Sequence, residues 1–204
     1  MKRLHAYILV FLLSCQPLIA GGETFLSRFH PGIEWGFSPS LASYHHFNYL
    51  DESIGFRIDD EGWTYPDCMN AFFLASISFD LGRKTGLSLL SGYHGVDKDR
   101  RMVPLLLRTD IYPKGKDRDG FILFSDLGVS LRSKQISSNQ FQLGSGYSIV
   151  LTPHSSLVFR LGARIVYDTP DVWDPIEEEY ISARNIKRND AWYYALNIGV
   201  GLYF

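Results

Sequence analysis

The chain has 204 residues, of which 18 are glycine, 15% are aromatic and 21% are charged, and its formal net charge is −2. This near-neutral balance gives no reason to expect nucleic acid as a partner, because nucleic-acid-binding domains are usually basic. The chain has two cysteines, Cys15 and Cys68, and no intramolecular disulfide is expected if an N-terminal signal that contains Cys15 is removed.

The N-terminus has the three parts of a secretory signal peptide. Lys2 and Arg3 precede an apolar run over residues 6–13, and a cleavage site of small residues follows around Ala20. The sequence therefore predicts a signal peptide over residues 1–20, so the protein is expected to be exported.

The remainder, residues 21–204, is predicted to be one domain. Residues 12–15 resemble the lipobox, the cleavage motif of bacterial lipoproteins in which the cysteine is acylated. A second candidate cleavage site of small residues follows at Ala20 and favours an unmodified Cys15. No later segment offers about 20 uninterrupted apolar residues, which excludes a helical membrane anchor. A membrane-inserted chain would have to be a closed barrel, because only a barrel satisfies all strand backbone groups in lipid.

Alternating apolar and polar residues predict eight strands, with short turns and long loops between them. The strands are expected at residues 32–38, 70–81, 85–94, 101–112, 120–132, 139–151, 156–167 and 191–204. Short connections at residues 82–84, 113–119 and 153–155 are expected on the side of both termini, the periplasmic side. Long external loops are expected at residues 39–69 and 168–190, and a tight charged external loop at residues 92–99.

The last strand has the clearest alternation. Its apolar set is Trp192, Tyr194, Leu196, Ile198, Val200, Leu202 and Phe204, and its thin or polar set is Tyr193, Ala195, Asn197, Gly199, Gly201 and Tyr203. A final strand that ends on Phe204 resembles the assembly signal of bacterial outer-membrane β-barrels, carried here by Tyr194, Leu196, Ile198, Val200, Leu202 and Phe204.

The chain therefore resembles small eight-stranded outer-membrane β-barrel proteins of Gram-negative bacteria, of the kind abundant in Bacteroidota. The resemblance implies an all-β, eight-stranded antiparallel up-and-down transmembrane β-barrel, integral to the outer membrane and inserted by the barrel assembly machinery. It also implies outer-membrane lipid and lipopolysaccharide as surroundings.

The composition of the polar strand faces favours a barrel surrounded by lipid over a soluble barrel surrounded by water. They carry Gly, Ser, Asn and a few Arg and Asp, whereas the outer face of a soluble barrel is normally dense in Lys and Glu. An eight-stranded barrel is filled by its own side chains, so no open pore is expected. A soluble, exported, lipocalin-like binder with an apolar cavity stays as an alternative.

The inward-facing charges predict a network of salt bridges. Its members are Glu34, Asp110 and Asp126, with Arg108, Arg160 and Arg164, and Asn197 as a neutral bridge. Buried charges are tolerated when they are paired and hydrogen-bonded. We therefore expect Arg160 and Arg164 each to contact an acidic residue inside the barrel.

The first long loop contains His45 and His46, followed by Asp51, Glu52 and Ser53. Small outer-membrane barrels include lipid A-modifying hydrolases and acyltransferases, so a His-Ser-acid set is the enzymatic alternative. A flexible loop offers no oriented base for a serine, and no HxxxH or HExxH spacing supports a metal. Paired histidines in an aromatic loop are more often surface residues, so no catalytic residue, metal or cofactor is assigned.

The last long loop offers contact candidates, of which the basic ones would meet lipid phosphates and the aromatic ones a partner surface. With the histidines, these external-loop candidates are His45, His46, Trp173, Tyr180, Arg184, Lys187 and Arg188. A solvated loop is the alternative. The sequence thus predicts a non-enzymatic outer-membrane barrel whose external loops contact lipopolysaccharide or a surface protein.

Overall fold

The computed structural model describes residues 28–66, 68–97, 100–132, 135–153, 155–174 and 178–204. Residues 1–20 with Cys15, and also His154 and Glu177, lie outside the described residues. The strands are β1 (Phe29–Asp51), β2 (Phe56–Thr64), β3 (Met69–Gly82), β4 (Thr85–Asp97), β5 (Arg100–Ile111), β6 (Gly120–Arg132), β7 (Gln135–Thr152), β8 (Ser155–Asp168), β9 (Trp173–Asp174), β10 (Glu179–Tyr180) and β11 (Ile186–Tyr203), with one 3-10 turn at Ala183–Asn185.

Eight of these strands close into an antiparallel barrel. The order around the wall is β11, β8, β7, β6, β5, β4, β3 and β1, and β1 pairs back onto β11. Each neighbour is antiparallel, so the predicted all-β, eight-stranded up-and-down barrel is confirmed. Closure leaves no exposed sheet edge in the wall itself.

Both ends of the described chain lie at the end of the barrel that carries the β3–β4, β5–β6 and β7–β8 connections, here called the short-turn end. The Phe204 N–H donates to the Pro31 carbonyl at 2.9 Å, which ties the last residue to the start of β1. The opposite, long-loop end carries two long connections, while β4–β5 and β6–β7 are joined there within a few residues.

The stretch predicted as the first long loop is mostly strand. β1 continues to Asp51, turns and returns as β2, and β11 starts at Ile186 to pair with this extension, as Tyr49 opposite Ile186 shows. The prediction of a flexible loop over residues 39–69 was therefore wrong. Polar and apolar residues are mixed in residues 39–51, so the period of two carries little contrast there.

The predicted faces agree with the exposure of the side chains. On β8, Leu161 is 52% exposed and Arg160 is 4% exposed, and the same alternation runs along β11. The outward side chains form an apolar belt around the barrel, with Trp35, Phe73, Ile77, Leu89, Leu105, Leu107, Leu123, Leu127, Leu143, Phe159 and Ile198 among them. Because every second residue of a strand points outward, five outward residues correspond to a segment of about 9–11 residues. A tilted strand of that length crosses the hydrocarbon core of a membrane.

The interior contains charged and apolar layers, whereas the sequence analysis predicted only a network of salt bridges. Charged side chains fill the half near the short-turn end. Two apolar clusters lie further along the axis, one of Phe72, Leu74, Leu90 and Leu106 and one of Val96, Met102, Val166, Ala191 and Tyr193. Glycines make room for large rings, since a Cβ at Gly144 would lie 2.5 Å from the Phe124 ring.

Candidate functional site

Two regions carry the polar side chains of interest, and the first is the charged layer inside the barrel. Arg108 donates to Asp126 through Nε at 2.6 Å and Nη2 at 2.8 Å, and it also pairs with Glu34. Arg160 donates to Asp110 at 2.7 Å and lies 3.3 Å from Glu34. Five of the predicted network residues are therefore brought together, almost fully shielded from solvent.

The other two predicted members lie elsewhere. Arg164 contacts His94, the Ser38 hydroxyl at 3.0 Å and the Gly95 carbonyl at 3.1 Å, and none of these is acidic. The prediction that Arg164 contacts an acidic residue was therefore wrong for the part of the chain that the structure describes. Asn197 does not bridge the charges either, because its amide donates to Gln142 at 2.6 Å.

Aromatic groups complete the charged layer, and the sequence patterns did not assign them to it. The guanidinium carbons of Arg108 and Arg160 each lie 4.9 Å from the centroid of the Phe124 ring. The Tyr203 hydroxyl donates to Glu34 at 3.1 Å and accepts from Arg160 at 3.2 Å. The alternation along the last strand already placed Tyr203 on the inward face. Its acidic partner could not be predicted, because it depends on how the barrel closes.

The second region is the three-stranded extension at the long-loop end, here called the external sheet. It consists of β2 with residues 43–51 of β1 and residues 186–193 of β11. On its outer face, Trp63 of the sheet stacks on Tyr194 of the barrel wall with 5.7 Å between ring centroids, and Trp192 of the sheet packs against Tyr167 of β8 at 4.9 Å. These rings lie at the upper margin of the apolar belt, where barrels place an interfacial aromatic girdle.

A polar network follows the aromatic rings on the outer face of the external sheet, on the side away from the apolar belt. Asp190 accepts from Tyr167 at 2.7 Å and from Arg188 at 2.5 Å. His46 lies 2.9 Å from Asp59, and hydrogen bonds from Asn48 and His46 lower the pKa of Asp59. Basic and acidic side chains therefore contact each other on the outer face of the external sheet.

His45 and His46 pair with carboxylates and do not form a catalytic set. His45 lies 3.3 Å from Asp60, while the Ser53 hydroxyl donates to Asp51 at 2.6 Å at the tip of the hairpin. That serine is held by an aspartate of its own turn, whereas a nucleophile needs a base within hydrogen-bond reach. The His-Ser-acid set considered from the sequence is not brought together in the described residues.

Of the remaining contact candidates, Trp173, Tyr180 and Arg184 lie between β8 and β11. Lys187 and Arg188 lie in β11, so the prediction that the loop extends to residue 190 was wrong. Trp173 and Tyr180 meet edge to face at 5.0 Å, where β9 and β10 pair. Arg184 and Asn185 donate to Glu52 at 3.1 Å and 2.7 Å, and these bonds lower the pKa of Glu52. The loop is thus tied to the tip of the hairpin.

The predicted external loop at residues 92–99 is also corrected. β4 continues through this stretch to Asp97, and His94 is 0% exposed inside the barrel. The predicted assembly residues Tyr194, Leu196, Ile198, Val200 and Leu202 lie along β11, and Phe204 follows its end. Their side chains point outward from the barrel wall, and recognition by the assembly machinery stays a prediction.

Within the described residues, no group of three or more His, Cys, Asp or Glu side chains is placed to hold a metal ion. None of the helices in the same part of the chain is long and apolar enough to cross a membrane.

No protein-family model and no curated protein matches this chain. Among solved structures, it is similar to Neisserial surface protein A, with 11% identity, 86% of this chain and 95% of that chain covered, and a TM-score of 0.42. It is also similar to the outer membrane protein OprG from Pseudomonas aeruginosa, with 15% identity, coverages of 86% and 95%, and a TM-score of 0.44. A third is the outer membrane protease OmpT from Escherichia coli, with 11% identity, coverages of 86% and 96%, and a TM-score of 0.41. Likeness at these identities concerns the fold alone.

Proposed function

We propose that this protein is an integral, non-enzymatic outer-membrane β-barrel whose external sheet contacts lipopolysaccharide headgroups. The observation that carries the proposal is the inverted arrangement of the barrel, with an apolar belt outside and paired charges inside. A water-exposed barrel would expose that belt at a large cost, because each square ångström of apolar surface in water costs about 25 cal/mol. In lipid the same belt is solvated favourably, and all wall strands are paired.

Orientation follows from the distribution of the connections. Outer-membrane barrels have short periplasmic turns and longer external loops. The short-turn end with both ends of the described chain is therefore assigned to the periplasm, and the external sheet to the cell surface. Export itself depends on the predicted signal peptide over residues 1–20.

The external sheet supports contact with lipid headgroups because basic side chains lie just beyond its aromatic residues. Aromatic pairs at the belt margin are followed outward by Arg188 and the exposed Lys187. Lipid phosphates lie at the depth just beyond an aromatic girdle, where basic side chains attract them. We infer that these two cations meet lipopolysaccharide phosphates.

Location is tested by fractionation of cells that produce the full chain. The protein is expected in the outer-membrane fraction after a carbonate wash, and it is expected to migrate differently on gels with and without heating. Release by the wash would contradict insertion and favour the soluble lipocalin-like alternative.

Headgroup contact is tested with the folded barrel in vesicles with and without lipopolysaccharide. We expect lipopolysaccharide to raise the unfolding temperature of the wild type and to raise it less for Lys187→Gln/Arg188→Gln. The matched control is Lys114→Gln/Arg118→Gln, which removes the same charge from exposed residues at the short-turn end. Equal shifts in all three proteins would contradict the assignment.

The absence of enzymatic activity is tested separately. Mass spectrometry of lipid A from cells with and without the protein is expected to give the same species. A loss or gain of an acyl chain that depends on the protein would favour the lipid A-modifying alternative.

A further inference from the structure

One lateral edge of the external sheet is formed by β2. Among the described residues, no strand other than β1 pairs with β2. Residues of an antiparallel strand direct their backbone N–H and C=O groups alternately to one neighbour and to the other. About half of the backbone groups of β2 therefore point away from β1, toward the free edge. Such a row of unpaired donors and acceptors is a template on which another strand can pair.

The free edge of β2 lacks the features that usually prevent strand pairing, which are proline, a β-bulge, lysine side chains or a covering segment. β2 contains neither proline nor lysine, and its nine residues pair with residues 43–51 of β1 without a register shift. Seven of the nine residues are exposed, and Ile58 and Gly62 are half-buried. In the described part of the chain, the edge is thus regular and open to a partner.

The middle of β2 is acidic. Asp59, Asp60 and Glu61 follow one another there, and Arg57 is the single basic residue of the strand. The three acidic side chains remain 61–63% exposed, although each lies near a histidine of β1. Successive side chains of a strand alternate between its faces, so Asp60 projects from the face opposite to its two acidic neighbours. A strand beside β2 would therefore meet negative charge on both faces of the sheet.

This charge discriminates between two kinds of strand partner. A second copy of the chain would pair β2 with β2 about a two-fold axis, because both copies offer the same edge. Asp60 is the central residue of β2, so a centred antiparallel pair would place the Asp60 carboxylates of both copies side by side. Like charges directly opposite each other destabilise a strand pair, whereas opposite charges stabilise it. The edge therefore favours a strand with basic residues.

Large apolar side chains flank the acidic middle of the edge. Phe56 begins β2 and is 72% exposed, and Trp63, next to its last residue, is 55% exposed. Aromatic side chains stabilise a strand pair through contact with aromatic or β-branched residues of the neighbouring strand. The complementary partner is thus an extended segment with Lys or Arg in its centre and apolar residues at its ends.

We propose that the free edge of β2 binds an extended, basic peptide segment of another protein as an additional strand. Backbone hydrogen bonds hold the segment, as in other cases of β-strand addition, and the three carboxylates select its basic centre. Lys187 and Arg188 belong to β11, on the opposite side of β1 from β2. Peptide binding therefore does not require the lipopolysaccharide contact proposed above.

The first test measures binding of synthetic peptides to the full, folded barrel in a zwitterionic detergent without lipopolysaccharide. The probe peptide is as long as β2 and has central lysines between valine, threonine and tyrosine residues. One control peptide has glutamates in place of the lysines, and another keeps the lysines but has N-methylated backbone amides. The lysine peptide is expected to bind, and both controls are expected to bind at least about tenfold more weakly.

Two results of the peptide comparison would overturn the proposal. Equal binding of the lysine peptide and its N-methylated form would show that charge alone is sufficient and that no strand is added. Absence of binding by the lysine peptide would show that the edge does not accept a basic strand.

Hydrogen exchange tests where the lysine peptide binds. Some β2 amides are expected to exchange rapidly in the free barrel, because they face the free edge. Saturating peptide is expected to abolish this rapid exchange, since the added strand supplies carbonyl acceptors. Bound peptide that leaves the exchange of these amides unchanged would overturn the assignment to β2.

Asp60→Asn/Glu61→Gln tests the role of charge at the edge. The lysine peptide is expected to bind this variant about 3–10-fold more weakly than the wild type. The matched control is Asp117→Asn/Asp119→Asn, which removes the same charge from exposed residues at the short-turn end and is expected to bind like the wild type. Equal weakening in both variants would overturn the selective role of the β2 carboxylates. If the first variant does not fold, the peptide comparison and the exchange data from the wild type decide the question.

The size of the wild-type barrel in detergent tests the other occupant of the edge. We expect a monomer, because the acidic residues oppose pairing of two β2 strands. A dimer that the lysine peptide dissociates would assign the edge to a second copy of the chain and overturn the proposal.

Discussion

Arg160 of β8 donates to Asp110 of β5 at 2.7 Å across the barrel interior, although β7 and β6 lie between these two strands in the wall. The pair therefore joins distant parts of the sheet directly. Both side chains are almost completely buried, and Arg160 also lies 3.3 Å from Glu34. Such a link constrains the cross-section of the barrel in a way that neighbouring strand pairs do not.

We predict that Asp110→Ala lowers the free energy of unfolding by about 3–5 kcal/mol, since it leaves Arg160 buried with less compensation. Urea titration of the folded barrel in detergent measures this change. The matched control is Asp117→Ala, which removes an exposed pair with Arg83 at 3.1 Å and is expected to cost at most about 1 kcal/mol. A similar loss of unfolding free energy for both variants would show that the interior pair stabilises the barrel no more than the exposed pair does.

Gly144→Val is predicted to destabilise the barrel by about 1–3 kcal/mol through overpacking. A Cβ at Gly144 would lie 2.4 Å from the Leu161 carbonyl oxygen and 2.5 Å from the Phe124 ring, which also covers Arg108 and Arg160. Gly82→Val is the control, because a Cβ there meets nothing within 4 Å. Thermal unfolding compares the two, and an equal effect at Gly82 would contradict the packing argument.

Phe204→Ala is predicted to reduce the amount of assembled barrel in the outer membrane. Phe204 follows the end of β11, and its N–H donates to the Pro31 carbonyl at 2.9 Å. Phe121→Ala is a matched control, because Phe121 is 51% exposed and Phe204 is 50% exposed. Quantitative blotting of heat-modifiable protein measures assembly, and an equal reduction for both variants would point to lost lipid contact instead of a specific role of Phe204 in assembly.

The external sheet is predicted to loosen in acid. Hydrogen bonds from Asn48 and His46 lower the pKa of Asp59 below its usual 3.8. The stabilisation by ionised Asp59 is therefore fully present above about pH 4 and is lost as the pH falls through the lower, folded-state pKa. Hydrogen exchange of the β2 amides is expected to accelerate there in the wild type. Asp59→Asn is expected to lose this acceleration, and an unchanged profile would contradict the role of Asp59.

Side-chain faces were predictable along most of the wall. On β11 the alternation of Leu196, Asn197 and Ile198 places the middle residue inside and its neighbours in the belt, as the structure confirms. A strand repeats every two residues, so local sequence determines which face a residue takes. The extension of β1 to Asp51 was missed because its residues alternate weakly and its partners lie far away in the chain.

Interior partners were only partly predictable. Asp126 meets Arg108 because these residues are register neighbours on β6 and β5. Arg164 instead meets His94, 70 positions away on a strand that is not its neighbour. Such a contact depends on the tilt and stagger with which the sheet closes, and these are properties of the whole barrel.

By itself, the sequence determined a barrel with apolar residues outside and charges inside, because hydrophobic periodicity is a local property that each strand shows on its own. Only the tertiary structure shows which charges are paired, that Arg164 meets His94 and Ser38 and no carboxylate among the described residues, and that most of the first predicted loop is β-sheet. These features depend on register, closure and contacts across the interior, where residues distant in sequence come within hydrogen-bond range.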